Sequence, residues 1–389
     1  MNIYLDNAAT TPLRKEVLDA MLPYLRENYG NPSSIYKFGG IARQAIDTAR
    51  KQISQAIAAN PQEIYFTSSG TESINWAIKG IAERAKDKGN HIITSSIEHH
   101  AVLHCCQYLE KNGWDITYLP VDEDGLIDIE NLKSSIRPDT VLISIMFANN
   151  EIGVIQPISE IGAIARENGI IFHTDAVQAA GREIIDVETM CIDLLSISAH
   201  KLYGSKGIGA LYIRKGVNIN NFIHGGAQER NRRAGTENVA GIVGFGLAME
   251  IAETEREAEN ARQIELRDYF IEETLKRIPY SKLNGHAKKR LCGNINISFD
   301  FIEGESMLIM LDLKGFSASS GSACTSGSLD PSHVLLALGL KHEQAHGSLR
   351  VSLGHQTTKE ELSALIDALE IIVGKLREMS PLYEDFLKS

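Results

Sequence analysis

The chain has 389 residues, 43% of them hydrophobic, with 50 acidic against 39 basic side chains and a formal net charge of −11. This length exceeds one ordinary core and predicts two domains, and the acidic balance excludes a general nucleic-acid binder, which presents a basic face. The longest apolar runs, VLISIMFA (141–148) and VAGIVGFGLAM (239–249), fall short of the roughly 20 residues that span a bilayer, so no membrane anchor is expected.

The opening MNIYLDNAATTP lacks a basic region followed by an apolar stretch, so no signal peptide is expected. From there, strand-like runs alternate with helical patterns: EIYFT (63–67), HIITSS (91–96), DITYL (115–119), VLISIMF (141–147), GIIFHT (169–174), DLLSIS (193–198) and GALYI (209–213), with TESINWAIKGIAERA (71–85) and SEIGAIARENG (159–169) between them. This order predicts an α/β fold with a large, mostly parallel sheet covered on both faces, its ligands gathering at the carboxyl ends of the strands. A charged helical stretch over about 238–277 leads into NINISF (294–299), GESMLIMLDLKG (304–315), SHVLLALGL (332–340), SLRVSLG (348–354) and a closing helix near 358–378, a small α+β unit. The expected division is a large α/β domain over 15–255 and a small α+β domain made of 1–14 and 256–389.

Several strand ends carry chemistry. EIYFTSSGTESINWAIKG (63–80) is a strand, a small-residue turn and a helix; backbone N–H groups at Ser69, Gly70 and Thr71 would form an anion cradle, although Thr71 and Glu72 also suit a helix start with no ligand. In SIEHHAVLHCC (96–106), His99 follows a strand end and could stack on a planar cofactor. His100 and His104, with Cys105 beside them, suggest a metal pair, but further ligands at useful spacing are missing. FANNEIGVIQP (147–157) ends a strand with Asn149 and Asn150. GIIFHTDAVQAAG (169–181) sets Asp175 just past a strand, where a carboxylate could hold a proton on a ring nitrogen or merely cap a helix, with Gln178 three residues on.

DLLSISAHKLYGSKGIGALYI (193–213) is the strongest local signal: a strand ends at Ser198, and His200 and Lys201 follow into a Gly-rich turn. A lysine there suits a Schiff-base nucleophile, against the plain alternative of a solvated loop lysine. The glycines at 204, 207 and 209 do not form a dinucleotide fingerprint. GGAQERNRRAGTENV (225–239) is basic and Gly-rich and suits an anion or a subunit contact, and Arg350 in SLRVSLG has a planar fork that suits a carboxylate.

The five cysteines, at 105, 106, 191, 292 and 324, form neither a disulfide framework nor a CxxC pattern, which fits a reducing, cytoplasmic setting. Cys324 stands apart from the other four: ASSGSACTSG (318–327) surrounds it with Ser, Gly, Ala and Thr, residues that let a loop move and leave a thiol without apolar walls.

Together these stretches resemble the pyridoxal-phosphate-dependent cysteine desulfurases of the nitrogenase and iron–sulfur assembly type, within the class V aminotransferases. The likeness runs almost end to end, through YLDNAATTP (4–12), YGNPSS (29–34), FTSSGTES (66–73), NNEIG (149–153), HTDAVQ (173–178), SAHKLYG (198–204), GGAQER and RAGTEN (225–238), SSGSACTSGS (319–328) and RVSLG (350–354). It departs from the family's usual residues at Tyr36, Ser69 and Ser205, where His, Gly and Pro are common.

The resemblance implies the fold type I arrangement of pyridoxal-phosphate transferases. It implies that Lys201 bonds the cofactor aldehyde, His99 stacks on the ring, Asp175 pairs with the ring nitrogen and Gln178 bonds the phenolate oxygen. Gly70, Thr71, Ser198 and His200 would hold the phosphate, with Thr236 reaching across from a partner subunit of a homodimer. Asn150, beside the cofactor, and Arg350 would grip the carboxylate of L-cysteine. Cys324 would accept the sulfur as a persulfide and pass it to acceptor proteins such as an iron–sulfur scaffold or a tRNA-thiolation enzyme. No resident metal is expected; an iron–sulfur cluster could be ligated by Cys324 only in transit. The rivals are another pyridoxal-phosphate enzyme of the same fold, a non-catalytic scaffold using the acidic surface and the tail PLYEDFLKS, and a Cys–His hydrolase using Cys324 and His333.

Overall fold

The computed structural model describes residues 2–320 and 331–388, so Cys324 lies outside the described residues. The strands, in chain order, are β1 (Ile3–Tyr4), β2 (Ile64–Thr67), β3 (His91–Ser95), β4 (Asp115–Leu119), β5 (Thr140–Ser144), β6 (Ile171–Asp175), β7 (Leu194–Ser198), β8 (Gly209–Ile213), β9 (Ser281–Leu283), β10 (Asn294–Phe299), β11 (Phe316–Ser317) and β12 (Ser348–Ser352). A seven-stranded sheet runs in the order β2-β8-β7-β6-β5-β3-β4. β3 through β7 pair in parallel, and β8 runs antiparallel to both of its neighbours.

Consecutive residues of each inner strand feed opposite faces of this sheet. Ile92, Leu142, Leu194 and Leu211 pack with Trp76 of the Gly70–Ala85 helix and Val102 of the His100–Glu110 helix. Ile93, Ile143, Leu195 and Tyr212 face Ile46 and Ile53 of the Lys37–Ala56 helix and Phe245 of the Val239–Arg277 helix. Coverage on both faces explains why the inner strands read as continuous apolar runs rather than alternating ones.

A second core gathers on the three-stranded antiparallel sheet β12-β10-β9. Ile295 and Ile297 of β10 and Leu349 and Val351 of β12 pack against Met307 and Leu311 of the Gly304–Leu313 helix, Leu362 and Leu369 of the Lys359–Glu378 helix, and Leu266 and Phe270 late in the Val239–Arg277 helix. β1 joins this core by pairing in parallel with β11, Ile3 opposite Phe316.

The run expected as a strand over 141–147 is regular only to Ser144, yet Ile145 and Phe147 go on donating N–H bonds to the carbonyls of His173 and Asp175. The Lys15–Arg26 and Lys37–Ala56 helices are absent from the sequence reading. The second opens KFGG, and paired glycines argue against a helix; at Gly39 a Cβ would lie 2.3 Å from the Ser34 carbonyl oxygen. The tail PLYEDFLKS forms a helix over Pro381–Lys388, with proline at a position where its missing N–H costs nothing. No helix among the described residues is long and apolar enough to cross a membrane.

One buried ion pair fixes the edge of the large sheet. Arg50 makes a fork-to-fork pair with Glu229 at 2.8 and 2.9 Å, and the same carboxylate accepts the Phe66 N–H of β2 at 3.0 Å. Glu229, Arg230 and Asn231 all have positive φ, at 45, 58 and 64°, a conformation held only when its surroundings enforce it. Breaking a buried pair by removing one partner strands the other charge and costs about 3–5 kcal/mol. Glu229→Ala should therefore lose stability on that scale in a urea titration; a change under about 1 kcal/mol, the range of surface pairs, contradicts this account.

Candidate active site

The carboxyl ends of β2, β5, β6 and β7 converge on a cavity of about 300 Å³ lined by Gly70, Thr71, His99, Asn150, Asp175, Gln178, Ser198, His200, Lys201 and Arg350. These are all the described residues that the sequence put forward for the site except Thr236, which is exposed and outside this lining. A larger cavity of about 780 Å³ lies beside the second core, between Asp300 and Leu382, and is lined by none of these residues.

The anion cradle is built by the turn after β2. Ser69 is extended, with φ −172° and ψ 165°, a conformation open to any residue, so the glycine usual in the family is not required here. Its hydroxyl accepts the Glu72 N–H at 3.1 Å and caps the Gly70–Ala85 helix. Glu72 folds back onto Ser68 and is clamped by both arms of the Arg233 fork at 2.8 and 3.0 Å. Gly70 and Thr71, in the first turn of this helix, line the cavity, and a helix's first-turn N–H groups suit a phosphate. Glycine matters at position 70, where a Cβ would come within 2.8 Å of Val177 and 3.5 Å of Ser198 and fill the cradle, and at 209, where it would sit 2.7 Å from the Ser69 carbonyl carbon.

Opposite the cradle, β6 delivers Asp175. Its carboxylate accepts the Val177 N–H at 2.9 Å, and burial pushes its pKa up to about 6 against the opposing pull of that bond and of Lys201. His173, two residues earlier, is wholly buried between the hydroxyls of Ser144 and Ser196 at 2.8 and 2.9 Å, and burial pushes it down to about 3. His99 caps the next helix by accepting the Ala101 N–H at its Nδ1, which leaves the ring proton on Nε2. Burial, with Lys201 and the neighbouring histidines, lowers its pKa to about 4. His200 is likewise pushed down to about 4, chiefly by burial.

Lys201 follows β7 in a short 3-10 turn and donates to the carbonyls of Ala8 and Ala9 at 2.6 and 2.5 Å. Gln178 donates to the same Ala8 carbonyl at 3.0 Å, and its buried Oε1 has no hydrogen-bond partner among the described residues. Arg350, on β12 and only 1% exposed, donates to Asn150 O at 3.1 Å and to Asp6 Oδ1 at 2.8 Å, while its buried Nε has no hydrogen-bond partner among the described residues. The sequence reading gave no role to Asp6, Ala8 or Ala9. It also missed two buried carboxyls next to site residues, Glu98 and Glu151, which burial pushes up to about 8 and about 7.

The metal pair raised by the sequence looks different in three dimensions. The rings of His100 and His104 lie 5.0 Å apart and that of His333 lies 4.8 Å from His100, tilted by 49°, but no group of three possible ligands is arranged to hold a metal among the described residues. Cys105 and Cys106 are buried, and burial pushes the Cys105 thiol up to about 12 and Cys106 higher still. These are packing residues, since the thiolate is the reactive form.

The residues present fit pyridoxal phosphate. The cradle that a Cβ would fill would suit the phosphate, the buried Asp175 a protonated ring nitrogen, the Gln178 amide oxygen left unpaired among the described residues a ring substituent, and Lys201 the aldehyde. Fold and site together define a pyridoxal-phosphate-dependent enzyme. The chain belongs to the aminotransferase class-V family, whose pattern matches residues 3–365. It is 60% identical over 380 residues to the cysteine desulfurase IscS of Methanosarcina thermophila, covering 98% of this chain and 94% of that one. Among solved structures it resembles a NifS-like protein with a TM-score of 0.91 at 38% identity, covering 97% of this chain and 100% of that one. SspA in complex with cysteine superposes with a TM-score of 0.81 at 40% identity over 90% of this chain and 98% of that one.

The three histidines pushed furthest down, His99, His173 and His200, make stability sensitive to acid. Each binds a proton in the unfolded chain below about pH 6.5 but not in the folded one until pH 4 or lower, so stability is lost as pH falls through that window. The melting temperature of cofactor-free protein should drop between pH 6.5 and 4, and His173→Asn should make that drop shallower. An identical acid limb in the variant contradicts the buried neutral imidazole.

Proposed function

We propose that this enzyme converts L-cysteine to L-alanine, with the cofactor bonded to Lys201, and leaves the substrate sulfur as a persulfide on Cys324. The observation that carries the reading is the convergence of Lys201, Asp175, Gln178, His99 and Arg350 on one cavity, in a chain that matches a cysteine desulfurase at 60% identity over nearly its whole length.

When bound, pyridoxal phosphate supplies an electron sink for the carbanion formed at an amino acid's Cα. The remaining work falls to the protein. Gly70, Thr71, Ser198 and His200 hold the phosphate. Asp175, ionised at neutral pH by its bond to Val177 and by Lys201, holds a proton on the ring nitrogen. His99, kept neutral by burial, offers a flat uncharged ring with its proton on Nε2. Arg350 binds the substrate carboxylate together with Asn150; its Nε, without a partner among the described residues, is a donor available for that purpose, and the Asn150 carbonyl and Asp6 hold the two arms of the fork in place. Lys201 would move the Cα proton, and the Ala8 and Ala9 carbonyls, which accept from its Nζ, would orient it for that transfer.

The Cys324 thiolate attacks the substrate sulfur. A sulfur–sulfur bond forms as the carbon–sulfur bond breaks, the electron pair stays with carbon, and protonation there gives alanine. Cysteine and one thiol thus become alanine and one persulfide, with no outside oxidant or reductant.

A homodimer in the cytoplasm, delivering sulfur to an iron–sulfur scaffold or a tRNA-thiolation enzyme, completes the proposal. The exposure of Thr236, away from its own cavity, supports a role at a partner's site. The proposed division at about residue 255 is supported by the Val239–Arg277 helix, which gives Ile242, Phe245 and Met249 to the first core and Leu266 and Phe270 to the second. Light scattering should report twice the chain mass; a fully active monomer contradicts the shared site.

Two substitutions separate the cofactor and sulfur roles. Lys201→Ala should abolish the visible absorbance of the lysine-bound cofactor and all turnover, and borohydride reduction of the unaltered enzyme should place the cofactor on the Lys201 peptide. Cys324→Ala should keep that absorbance and still respond spectrally to cysteine, but lose sustained alanine and sulfide production, because the nucleophile that takes the sulfur is gone. Normal turnover by Cys324→Ala overturns the persulfide step and leaves the cofactor assignment standing.

A further inference from the structure

The chain leaves the described region after Ser320 and returns at Pro331, with Cys324 in between, and both flanks are tied to residues of the cavity or to their immediate neighbours. On the near side, Ser319 exchanges two main-chain hydrogen bonds with Arg350, at 3.2 and 2.6 Å. On the far side, the Ser332 hydroxyl donates to the buried Glu151 carboxylate at 2.5 Å, and His333 Nε2 donates to the Glu98 main-chain carbonyl at 3.0 Å. Glu151 follows Asn150, and Glu98 precedes His99.

Neither carboxyl is incidental to its surroundings. Glu151 is 5% exposed, and its N–H is fixed by Asn149 Oδ1 at 2.8 Å. Glu98 Oε1 joins the ends of two strands, accepting from Ser95 Oγ at 2.6 Å and Met146 N–H at 2.9 Å. A small apolar core then seats the returning helix: Val334, Leu335 and Leu338 pack on Ile97, Met146, Ile152 and Val154.

We infer that Glu151 is a positioning residue for sulfur acceptance: with the Glu98 carbonyl it clasps Ser332 and His333 next to the cavity residues Asn150 and His99, fixing the described anchor that follows Cys324 in the chain. The inference rests on the desulfurase reading. Glu151 acts through Ser332, without touching cofactor or substrate. An amide at position 151 still accepts the Ser332 hydroxyl proton, whereas a methyl group does not.

The test uses holoenzyme mixed with L-cysteine in a single turnover. The persulfide on the Cys324 peptide is followed by rapid quench and mass spectrometry, and the cofactor's spectral response to cysteine is recorded in parallel. Glu151→Ala should slow persulfide loading by about tenfold or more, the scale of leaving a buried hydrogen-bonding group unsatisfied, with the amplitude and half-saturation of the spectral response within twofold of wild type. Glu151→Gln should recover most of the loading rate, and Ser332→Ala should reproduce the Glu151→Ala defect. Adding Ser332→Ala to Glu151→Ala should slow loading no further. Wild-type loading by Glu151→Ala or by Ser332→Ala overturns the clasp, as does a spectral response lost in step with loading. If Glu151→Ala does not fold, Ser332→Ala decides alone. A wild-type enzyme that never loads sulfur on Cys324 overturns the proposed activity as well, an outcome distinct from failure of the clasp alone.

Discussion

The site depends on residues 6–11, which cross between the two cores and are stitched to both. Thr11 donates its N–H and hydroxyl to the His200 carbonyl and accepts the Tyr203 N–H, so it grips the lysine turn from both sides. The carbonyls of Ala8 and Ala9 hold the Lys201 ammonium, and Ala8 also holds Gln178. Asn7 and Ala8 bond Ser352 at the end of β12, and Asp6 pairs with Arg350 on the same strand. One short stretch therefore sets the distance between the lysine and the arginine.

That spacing makes the electrostatics workable. Asp6 neutralises a guanidinium that is almost entirely buried, and an unpaired charge so placed is very costly. Asp175 has no such fixed partner. Its ionised form depends on Lys201 and one backbone N–H, so its environment suits a cationic ring nitrogen. The histidines around it are neutral because burial leaves no room for their charge. The cavity thus sets the Asp175 carboxylate and the Lys201 amino group among uncharged rings, with the Arg350 charge balanced by Asp6.

Much of this was legible in the sequence because the chemistry sits at strand ends. GIIFHTD and DLLSISAHK announce a buried strand followed at once by polar groups, and such groups can only face the rim of the sheet. Asp175, Lys201, His99 and the turn at 68–71 were readable in this way. What could not be read was contact through the main chain. Ala8 and Ala9 act with carbonyls that any residue possesses, so their side chains carry no signal. Asp6 and Arg350 stand 344 positions apart, and a lone acidic residue near a chain start looks like any solvated one. Glu98 and Glu151 were hidden beside the histidine and the amides that attracted notice, and only their burial sets them apart. The Lys37–Ala56 helix was obscured by Gly39, a residue chosen for its close approach to Ser34 at the expense of helix propensity.

The pairing of β1 with β11 sets an order on assembly from the ribosome. Ile3 emerges first but finds Phe316 only after most of the chain has been made, and Asp6 waits longer still for Arg350. Until then the seven-stranded sheet can form and carry its lysine, while residues 6–11 have only half of their anchors. Contacts this distant in sequence close late and slowly. A nascent chain interrupted before β12 would hold a lysine, an aspartate and an anion cradle without the arginine proposed to grip the substrate carboxylate, so on that proposal substrate recognition is conferred only by nearly complete synthesis.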